Sequence, residues 1–375
     1  MNRTSTGGLL RRSALASCAA ALAALAVAPG PARAALLVMG TYPDKLLIVD
    51  EASGAVTEKI PLEAGLPTAL RMSNDHKRVY VTTITTSGIA VLDAATRKIT
   101  SSLSLNTPAV RYRFNGGVPD PVGRYFYTVL TRIDKLNDRY VVSKPQYAAI
   151  DLQAKKVVRT ADVAPEDDII NGGFRTQYMV SPDGKLLYVF RDKVAVIDTT
   201  TLKVLERIEL AKPEGAGLEG VNFGGGVEQL RNPDEYVSLF TAADPYVHNR
   251  IFGIGRFDLA HRKFDFKPIG PAPSAMSGLQ VTPDGKDGYS VVTQNTLGNK
   301  RCEFWHFDLA TNKVLGKEEF PCRSRFTFGM SGDGKKLYIY GASYDVEVYD
   351  GQTLKHEQTW NLGSDGTGAG MVILQ

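Results

Sequence analysis

The chain has 375 residues, of which 43% are hydrophobic, 9% aromatic and 22% charged, the composition of an ordinary globular protein. Its formal net charge is +4, and the four arginines of residues 1–34 account for the whole excess because that stretch holds no other charged residue. The rest of the chain is formally neutral, so its charge gives no reason to expect nucleic acid as a partner.

Residues 1–34 have the three parts of a secretory signal peptide. Arginines precede an apolar Ala/Leu-rich run over 13–27, and Ala32-Arg33-Ala34 then fits a signal peptidase site. The apolar run is about 15 residues long, shorter than the roughly 20 that span a bilayer. We therefore predict cleavage, export to the periplasm and no membrane span in the mature chain. The Arg11-Arg12 pair leaves general and twin-arginine secretion open, with general secretion favoured.

An aspartate at the end of an apolar run recurs seven times in the rest of the chain. Its side chain can bond backbone N–H groups two or three residues on, which closes a tight turn. The seven are Asp50, Asp93, Asp151, Asp198, Asp258, Asp308 and Asp350. They stand 42 to 60 residues apart, the length of a propeller blade of four antiparallel strands. The repeat predicts an all-β protein, a seven-bladed β-propeller over residues 35–375.

A second turn motif recurs inside the repeats. Ser181-Pro182-Asp183-Gly184-Lys185 precedes a strand-like run, and related segments stand at 282–286, 331–335 and, in degraded form, 73–77. Proline at the second position with Asp-Gly after it suits a tight reversal. We predict four strands, a to d, in each blade. This motif then joins strands a and b, and the aspartate turn joins strands c and d.

The two ends of the predicted propeller complement each other. Leu36–Gly40 reads as a strand b with no strand a before it, and Gly370–Leu374 stands alone after the seventh strand d. We predict that the C-terminal strand supplies strand a of blade 1 and closes the ring, since an open array leaves unpaired strand edges.

Two repeats are longer than the others. The excess in blade 3 lies between strands b and c, over 132–145, and in blade 5 it is shared between 212–217 and 244–249. Connections from b to c and from d to a leave a propeller on the same face, and scaffolds carry function on such loops. The alternative is ordinary variation in loop length. The residues predicted to contact a partner or line a substrate cavity are Asn137, Asp138, Arg139, Tyr140, Lys144, Tyr246 and His248.

Two cysteines remain after the predicted leader. Cys302 begins the strand that ends in Asp308, and Cys322 ends the return strand, so a hairpin brings them side by side. An exported protein permits a disulfide between them. The alternative is that both cysteines are free thiols. In a symmetric hairpin the residue opposite Cys302 is nearer to residue 319 than to Cys322, which would leave the two thiols apart.

Most catalytic motifs are absent from the sequence. No Cys-x-x-Cys-His segment is present to attach haem covalently, and the histidines are not spaced as metal ligands. We predict no catalytic residue, no metal site and no cofactor in this chain. The glycines at 224–226 are interpreted as a bulge or a closely packed stretch. Polar residues predicted to line the central channel, where they either bind a small molecule or hold water, are Arg71, Arg113, Gln177 and Gln280.

Several segments resemble one family of exported bacterial propellers. They are Thr41–Asp50, Leu136–Pro145, Phe257–Ala260 and Lys336–Gly341. The turns resemble YVTN-type propellers in general, and the chain is similar to the beta chain of quinohemoprotein amine dehydrogenase over nearly the whole mature sequence. The blade-3 insertion is the specific part of this likeness. A more distant likeness is to the heavy chain of methylamine dehydrogenase.

The resemblance implies a role in a periplasmic complex that oxidises primary amines to aldehydes and ammonia. In that family the propeller carries no prosthetic group; a small chain bears a tryptophan-derived quinone, and another chain binds c-type haem. The propeller clasps the small chain and helps to enclose the substrate cavity. The alternatives are a stand-alone exported propeller that binds a ligand or protein and, less favoured, a lactonase-like hydrolase.

Overall fold

The computed structural model describes residues 35–114, 116–167, 176–190, 193–210, 219–223, 225, 229–243, 249–295 and 299–374. Within these ranges the strands form seven antiparallel sheets, which confirms the predicted seven-bladed β-propeller. No helix in the described ranges is long and apolar enough to cross a membrane. The signal peptide predicted for residues 1–34 lies outside the described residues and stays a prediction.

The strands follow one another in chain order around the ring. They are β1 (Leu36–Thr41), β2 (Lys45–Asp50), β3 (Val56–Pro61), β4 (Pro67–Met72), β5 (Arg78–Thr83), β6 (Gly88–Asp93), β7 (Ile99–Ser104), β8 (Val110–Phe114), β9 (Val118–Pro119), β10 (Tyr125–Lys135), β11 (Tyr140–Val142), β12 (Gln146–Asp151), β13 (Lys156–Asp162), β14 (Gln177–Val180), β15 (Leu186–Phe190), β16 (Lys193–Asp198), β17 (Val204–Glu209), β18 (Glu219–Phe223), β19 (Glu235–Ala243), β20 (Arg250–Asp258), β21 (Lys263–Pro271), β22 (Ala275–Met276), β23 (Gln280–Val281), β24 (Asp287–Gln294), β25 (Arg301–Asp308), β26 (Lys313–Phe320), β27 (Thr327–Met330), β28 (Lys336–Tyr340), β29 (Asp345–Asp350), β30 (His356–Asn361) and β31 (Gly366–Leu374). One 3₁₀ turn, Pro165–Asp167, follows β13.

Each sheet is one blade. Blade 1 has the order β31-β1-β2-β3 from strand a to strand d, blade 2 is β4–β7, blade 3 is β8–β13 and blade 4 is β14–β17. Blade 5 is β18–β21, blade 6 is β22–β26 and blade 7 is β27–β30. The described core consists of apolar clusters, and most of them join the facing sides of adjacent blades.

The ring closes as the sequence predicts. The C-terminal β31 pairs antiparallel with β1, and Leu36 lies opposite Leu374. β31 begins at Gly366, four residues earlier than the apolar run suggested, because the pairing continues past a shift in register to Thr41. Val38 and Val372, opposite each other, are fully buried.

The repeated aspartates make the predicted c–d turns. In blade 6, Asp308 Oδ1 accepts hydrogen bonds from the backbone N–H groups of Ala310 (2.8 Å) and Thr311 (2.9 Å). The residue four positions after each aspartate has a positive φ, which completes the reversal. Backbone hydrogen bonds of this kind hold the pKa of the Asp308 carboxyl below its usual value. The pKa is lowered at all seven aspartates.

The a–b turns have their own hydrogen bonds. Asp183 Oδ1 accepts from Ser181 Oγ (2.6 Å) and from the Lys185 N–H (3.1 Å), and Gly184 follows with a φ of 75°. The motif copies in blades 6 and 7 repeat this arrangement. In the degraded copy of blade 2, His76 holds the left-handed position with a φ of 56°, a conformation that favours glycine.

We expect acid to weaken this fold. Eleven turn aspartates have a lowered pKa in the folded chain: the seven of the c–d turns and Asp75, Asp183, Asp284 and Asp333 of the a–b turns. An unfolded aspartate has a pKa of about 3.9, so these groups stabilise the fold above that pH. Their contribution is lost as the pH falls through the lower folded values. Urea unfolding from pH 7 to 2.5 measures the effect.

The matched variant for this test is Asp198→Asn, which keeps an acceptor oxygen and removes one titrating group. We expect it to lose less stability than the parent chain between pH 5 and 2.5. A free energy of unfolding that stays constant to pH 3 contradicts the prediction. Glu51 acts in the opposite sense because burial raises its pKa, but it is one group against eleven.

Candidate functional site

Blade 3 carries the largest departure from a four-stranded blade. Beyond its last pairing with strand c, β10 continues from Thr131 to Lys135, with β11 on one side and β8 on the other. At about 3.4 Å per residue, these five residues extend the ribbon roughly 17 Å beyond the last pairing with strand c. We call this three-stranded ribbon the arm. It belongs to the b–c connection, so it stands on the b–c face, the face of the ring with the b–c and d–a connections.

The tip of the arm is a tight turn. The Leu136 N–H donates to the Arg139 carbonyl oxygen (2.9 Å), so Asn137 and Asp138 form the turn itself. Arg139 Nη1 and Asp138 Oδ2 make an exposed ion pair of 2.8 Å. The predicted contact residues of this insertion are all exposed: Asn137, Asp138, Arg139, Tyr140 and Lys144. The structure therefore brings Asn137, Asp138, Arg139 and Tyr140 together at the end of the arm, where another molecule can contact them. Lys144 lies at the base of the arm, next to Ser143, whose N–H donates to the Arg132 carbonyl oxygen (2.8 Å).

Exposed apolar residues concentrate on the b–c face. Among the described residues, seven of the eleven exposed large apolar side chains belong to b–c connections. We call them the apolar arc: Tyr42, Ile84, Leu136, Tyr140, Val141, Val142 and Tyr344. Their connections belong to blades 7, 1, 2 and 3, which are neighbours in the ring. Grouped exposed apolar surface of this kind marks interaction sites.

Blades 5 and 6 are also extended. β19 and β20 have nine residues each and β24, β25 and β26 have eight, against five or six for strands b to d of blades 1, 2 and 7. The sequence predicted extra length in blade 5 but not in blade 6. The tip of the blade-5 extension, with Tyr246 and His248, lies outside the described residues, as does the segment 212–217.

The predicted disulfide is confirmed. Cys302 and Cys322 are bonded, with their Cα atoms 5.3 Å apart. Phe320 is the register partner of Cys302, so the bond reaches two residues past the end of strand d into the d–a connection. There the guanidinium of Arg323 binds both carboxylate oxygens of Asp345 (2.9 Å each) on blade 7. This connection is therefore fixed to blade 6 by the disulfide and to blade 7 by Arg323.

Two of the four predicted channel residues, Arg71 and Gln280, join inner strands of different blades, and a third, Gln177, bonds within its own strand. Arg71 Nη2 of blade 2 donates to the Tyr178 carbonyl oxygen of blade 4 (3.0 Å), and Gln177 Nε2 donates to the same oxygen (3.3 Å). Gln280 Nε2 of blade 6 donates to the Phe328 carbonyl oxygen of blade 7 (3.3 Å). The contacts of Arg71 and Gln280 give these two side chains a bridging role beside the water-holding or ligand-binding roles considered from the sequence.

The fourth predicted channel residue stands apart. Arg113 lies in β8, pairs with Thr131 of β10 and is exposed at the base of the arm. Strand a of blade 3 is split, because β8 pairs with the outer half of β10 and the short β9 pairs with Phe126 and Tyr127.

A cavity of about 280 Å³ lies on the opposite side of the ring, the a–b face, which bears the a–b and c–d turns. Its walls come from blades 5, 6 and 7 and from strand a of blade 1. Part of its lining is the segment Gln229–Asn232 in the connection between β18 and β19. Gln229 Oε1 accepts from the Ile373 N–H of blade 1 (3.3 Å). Gln229 Nε2 lies 3.5 Å from His76 Nδ1 of blade 2, so this segment reaches well beyond its own blade.

The glycine segment predicted to pack closely does so at Gly225, its one described member. A Cβ on Gly225 would lie 2.8 Å from the Gly278 Cα, closer than such atoms approach. Its N–H and its carbonyl oxygen both lie 2.8 Å from the Tyr236 hydroxyl oxygen. The glycine therefore lets blades 5 and 6 meet beside the cavity.

Of the described histidines, His261, His306 and His356 bond within their own blades, whereas His76 of blade 2 lies beside Gln229 of blade 5. His306 Nε2 lies 2.7 Å from Asp287 Oδ1 and its ring stacks on Tyr289, while His261 Nδ1 lies 2.8 Å from Asp258 Oδ2. In the part of the chain that the structure describes, no three His, Cys, Asp or Glu side chains are grouped to hold a metal ion.

Sequence reasoning missed two groups of residues. Tyr42, Ile84 and Tyr344 stand in short b–c connections whose lengths are ordinary, and only their apolar character among turn residues was a signal. The residues around Arg231 stand in an a–b connection of eleven residues, between Phe223 and Glu235. Since the a–b motif copies span five residues, this spacing could have identified the segment once the strands were placed.

The comparisons with known proteins support the fold alone. No protein-family model matches the sequence, and a search of curated proteins gives no match. Among solved structures, a protein of unknown function from Desulfotomaculum acetoxidans is similar with a TM-score of 0.56, 12% identity and coverage of 91% of this chain and 98% of that one. Dihydro-heme d1 dehydrogenase NirN is similar with a TM-score of 0.50 and 14% identity, over 91% of this chain and 75% of that one. The Pseudomonas aeruginosa periplasmic gluconolactonase is similar with a TM-score of 0.50 and 13% identity, over 91% of this chain and 99% of that one.

Proposed function

We propose that this chain is the propeller subunit of a periplasmic quinone-dependent amine dehydrogenase. In this role it holds a small quinone-bearing chain on its b–c face, beside a chain with c-type haem, and shapes the cavity in which a primary amine is oxidised to an aldehyde and ammonia. The single observation that carries the proposal is the apolar arc together with the arm. Both lie on one face, and the arm is the segment whose sequence resembles the family most specifically.

The arm suits a docking role because its own sheet stabilises it. Three strands pair along it, and the Lys135 N–H donates to the Ala109 carbonyl oxygen (2.8 Å) at its outer end. A preformed ribbon loses little conformational entropy when it binds, which favours affinity. Tyr140 and Arg139 at its end are residue types enriched among interface anchors.

The chemistry of the partner follows from the character of this face. An arc of exposed tyrosine, leucine, isoleucine and valine side chains fits a protein surface with apolar patches better than a highly charged polymer. The exposed pairs Arg132–Asp134 and Arg139–Asp138 place charges of both signs around the arm, as at a polar interface rim. A compact small chain seated between the arm and blades 7, 1 and 2 meets both features.

The direct test is isolation of the full chain, with an affinity tag, from the periplasm of the cells that make it. We expect a small chain with quinone absorbance and a chain with c-type haem to copurify, and the complex to reduce a dye in the presence of a primary amine. Recovery of the chain alone, with no amine-dependent dye reduction in the periplasmic extract, contradicts the proposal and favours the stand-alone binding propeller.

A variant of the arm tests the docking surface itself. In Tyr140→Ser/Val142→Ser the two altered residues are 63% and 62% exposed, so we expect the free energy of unfolding to change by at most about 0.5 kcal/mol. Loss of an interface anchor typically costs about 2 kcal/mol, so we expect affinity for the small chain to fall about 30-fold. Surface-immobilised propeller and purified small chain give the dissociation constant.

The matched control for the arm variant lies on the outer strands. Leu205→Ser/Leu315→Ser removes two apolar residues that are 60% and 57% exposed, but on strands d of blades 4 and 6. We expect this control to bind the small chain as the parent does. Equal weakening by both double variants would mean that general surface hydrophobicity, not the arm, holds the partner.

A further inference from the structure

The cavity on the a–b face has the size and lining of a small-molecule site. Its volume of about 280 Å³ is close to the lower end of the range for such sites. Apolar walls are supplied by Leu279 and Val281 of blade 6, Met330 of blade 7, and Met371 and Ile373 of blade 1. The cavity can therefore bury the apolar part of a ligand. The polar groups around the cavity decide which ligand fits.

Arg231 is the first of two cations in the lining. It is partly buried, and within the described residues no hydrogen bond or ion pair to its guanidinium is present. The charge of Glu51 acts on it, but Glu51 Oε1 accepts hydrogen bonds from the Gly332 N–H (3.0 Å) and the Tyr338 hydroxyl (3.1 Å). A half-buried guanidinium without an acceptor is costly, because nothing replaces the water it has lost.

Arg256 is the second cation. Its Nη1 donates to Asn312 Oδ1 (3.0 Å) and its Nη2 to the Leu309 carbonyl oxygen (2.5 Å). Both acceptors are neutral, so in the described structure these contacts orient the guanidinium without neutralising its charge.

Two carboxylates also line the cavity, and they differ. Asp284 accepts from Thr282 Oγ1 (2.7 Å) and the Lys286 N–H (3.1 Å), and Lys286 Nζ lies 3.7 Å from its Oδ2, so its charge is used within its own turn. Glu235 has no side-chain hydrogen bond or ion pair among the described residues. Counted over the described residues, the lining therefore holds two arginines without a paired carboxylate against one carboxylate without a paired cation, an excess of one positive charge.

We propose that this cavity binds a small monocarboxylate with an apolar body, with its carboxylate on Arg231. One excess positive charge selects a monoanion over a dianion, and the apolar walls select an aromatic or aliphatic body. A carboxylate on a guanidinium makes charge-assisted hydrogen bonds, which are stronger than bonds between neutral groups. Burial lowers the pKa of Arg231, and a bound carboxylate offsets that effect.

The site is separate from the docking face. The cavity opens among a–b turns, and the arm and the apolar arc stand among b–c connections on the other face of the ring. Binding of a monocarboxylate by the isolated chain is therefore a different result from capture of a partner chain. Either proposal can fail while the other holds.

The experiment is isothermal titration calorimetry of the full chain with benzoate, phenylacetate and hexanoate. We expect at least one to bind at a single site with a dissociation constant below about 1 mM. The neutral amide of the best carboxylate has nearly the same shape, and we expect it to bind at least tenfold more weakly. In Arg231→Gln we expect the affinity for the carboxylate to fall at least tenfold while the amide is unaffected.

The control variant is Arg262→Gln. This arginine stands in the c–d turn of the same blade and pairs with Glu206 at 2.7 Å, away from the cavity. We expect it to bind the carboxylate as the parent does. Saturable binding that is equal in the parent chain and in Arg231→Gln overturns the assignment of Arg231. Absence of saturable binding for all three carboxylates overturns the proposal as a whole, and circular dichroism shows that each variant is folded.

Discussion

Removal of residues 368–375 is expected to abolish the cooperative unfolding transition at 25 °C. These residues include five buried members of β31: Ala369, Met371, Val372, Ile373 and Leu374. Burial of a large apolar side chain contributes about 1.5–3 kcal/mol, so the strand contributes about 10 kcal/mol, as much as the total stability of an ordinary domain. Its loss also leaves the inner edge of β1 unpaired. Circular dichroism and urea titration of the shortened chain measure the result.

A synthetic peptide with the sequence of residues 366–375 provides the control for this deletion. If the missing strand is the cause, the peptide added to the shortened chain restores a cooperative transition, because it can pair with β1 from Leu36 onward. The predicted closure is contradicted if the shortened chain melts within a few degrees of the full chain. It is also contradicted if the peptide does not restore the transition of the shortened chain although the full chain refolds under the same conditions.

Loss of the disulfide is expected to lower the free energy of unfolding by about 3 kcal/mol. Cys302 and Cys322 are 20 residues apart in the sequence, and a cross-link closing a loop of that length restricts the unfolded chain by about this amount. Urea unfolding of Cys302→Ala/Cys322→Ala against the parent gives the difference. The unfolding slope is expected to rise slightly, since the unfolded chain without the cross-link is less compact and exposes more surface.

Reduction supplies an independent readout of the same bond. Dithiothreitol is expected to lower the urea midpoint of the parent chain and to leave that of the double alanine variant where it was. Arg323 adds a second attachment for the same connection, because it binds Asp345 and also donates to Glu347 Oε1 (2.7 Å). Two reactive thiols in the unfolded, unreduced chain of residues 35–375, which lacks Cys18, would falsify the bond.

The fold was predictable because its signals are local. Each aspartate turn depends on hydrogen bonds over two or three residues, as at Asp308, and such contacts can be inferred from neighbouring residue types. Seven copies then define the number of blades. The closing strand followed from counting strands, since blade 1 lacked one and Gly370–Leu374 remained. The disulfide needed only the geometry of one hairpin.

The site was less predictable because its contacts are long-range. Nothing near Gln229 in the sequence indicates that it meets Ile373 and His76, which lie 144 and 153 residues away. Likewise, the sequence around Arg113 resembles an inner strand. The structure shows that strand a of blade 3 is split and that the half with Arg113, β8, belongs to the arm. The arm itself was placed correctly on its face, but its third strand, β8, was read as an ordinary strand a.

The pairing of β1 with β31 also determines how the propeller bears a mechanical load. Leu36 and Leu374 lie side by side at the same end of an antiparallel pair. A pull between these two residues therefore opens the hydrogen bonds one after another, as a zipper opens, instead of loading all of them at once. The pairing of β1 with β31, which stabilises the closed ring, therefore resists a force in this direction only weakly.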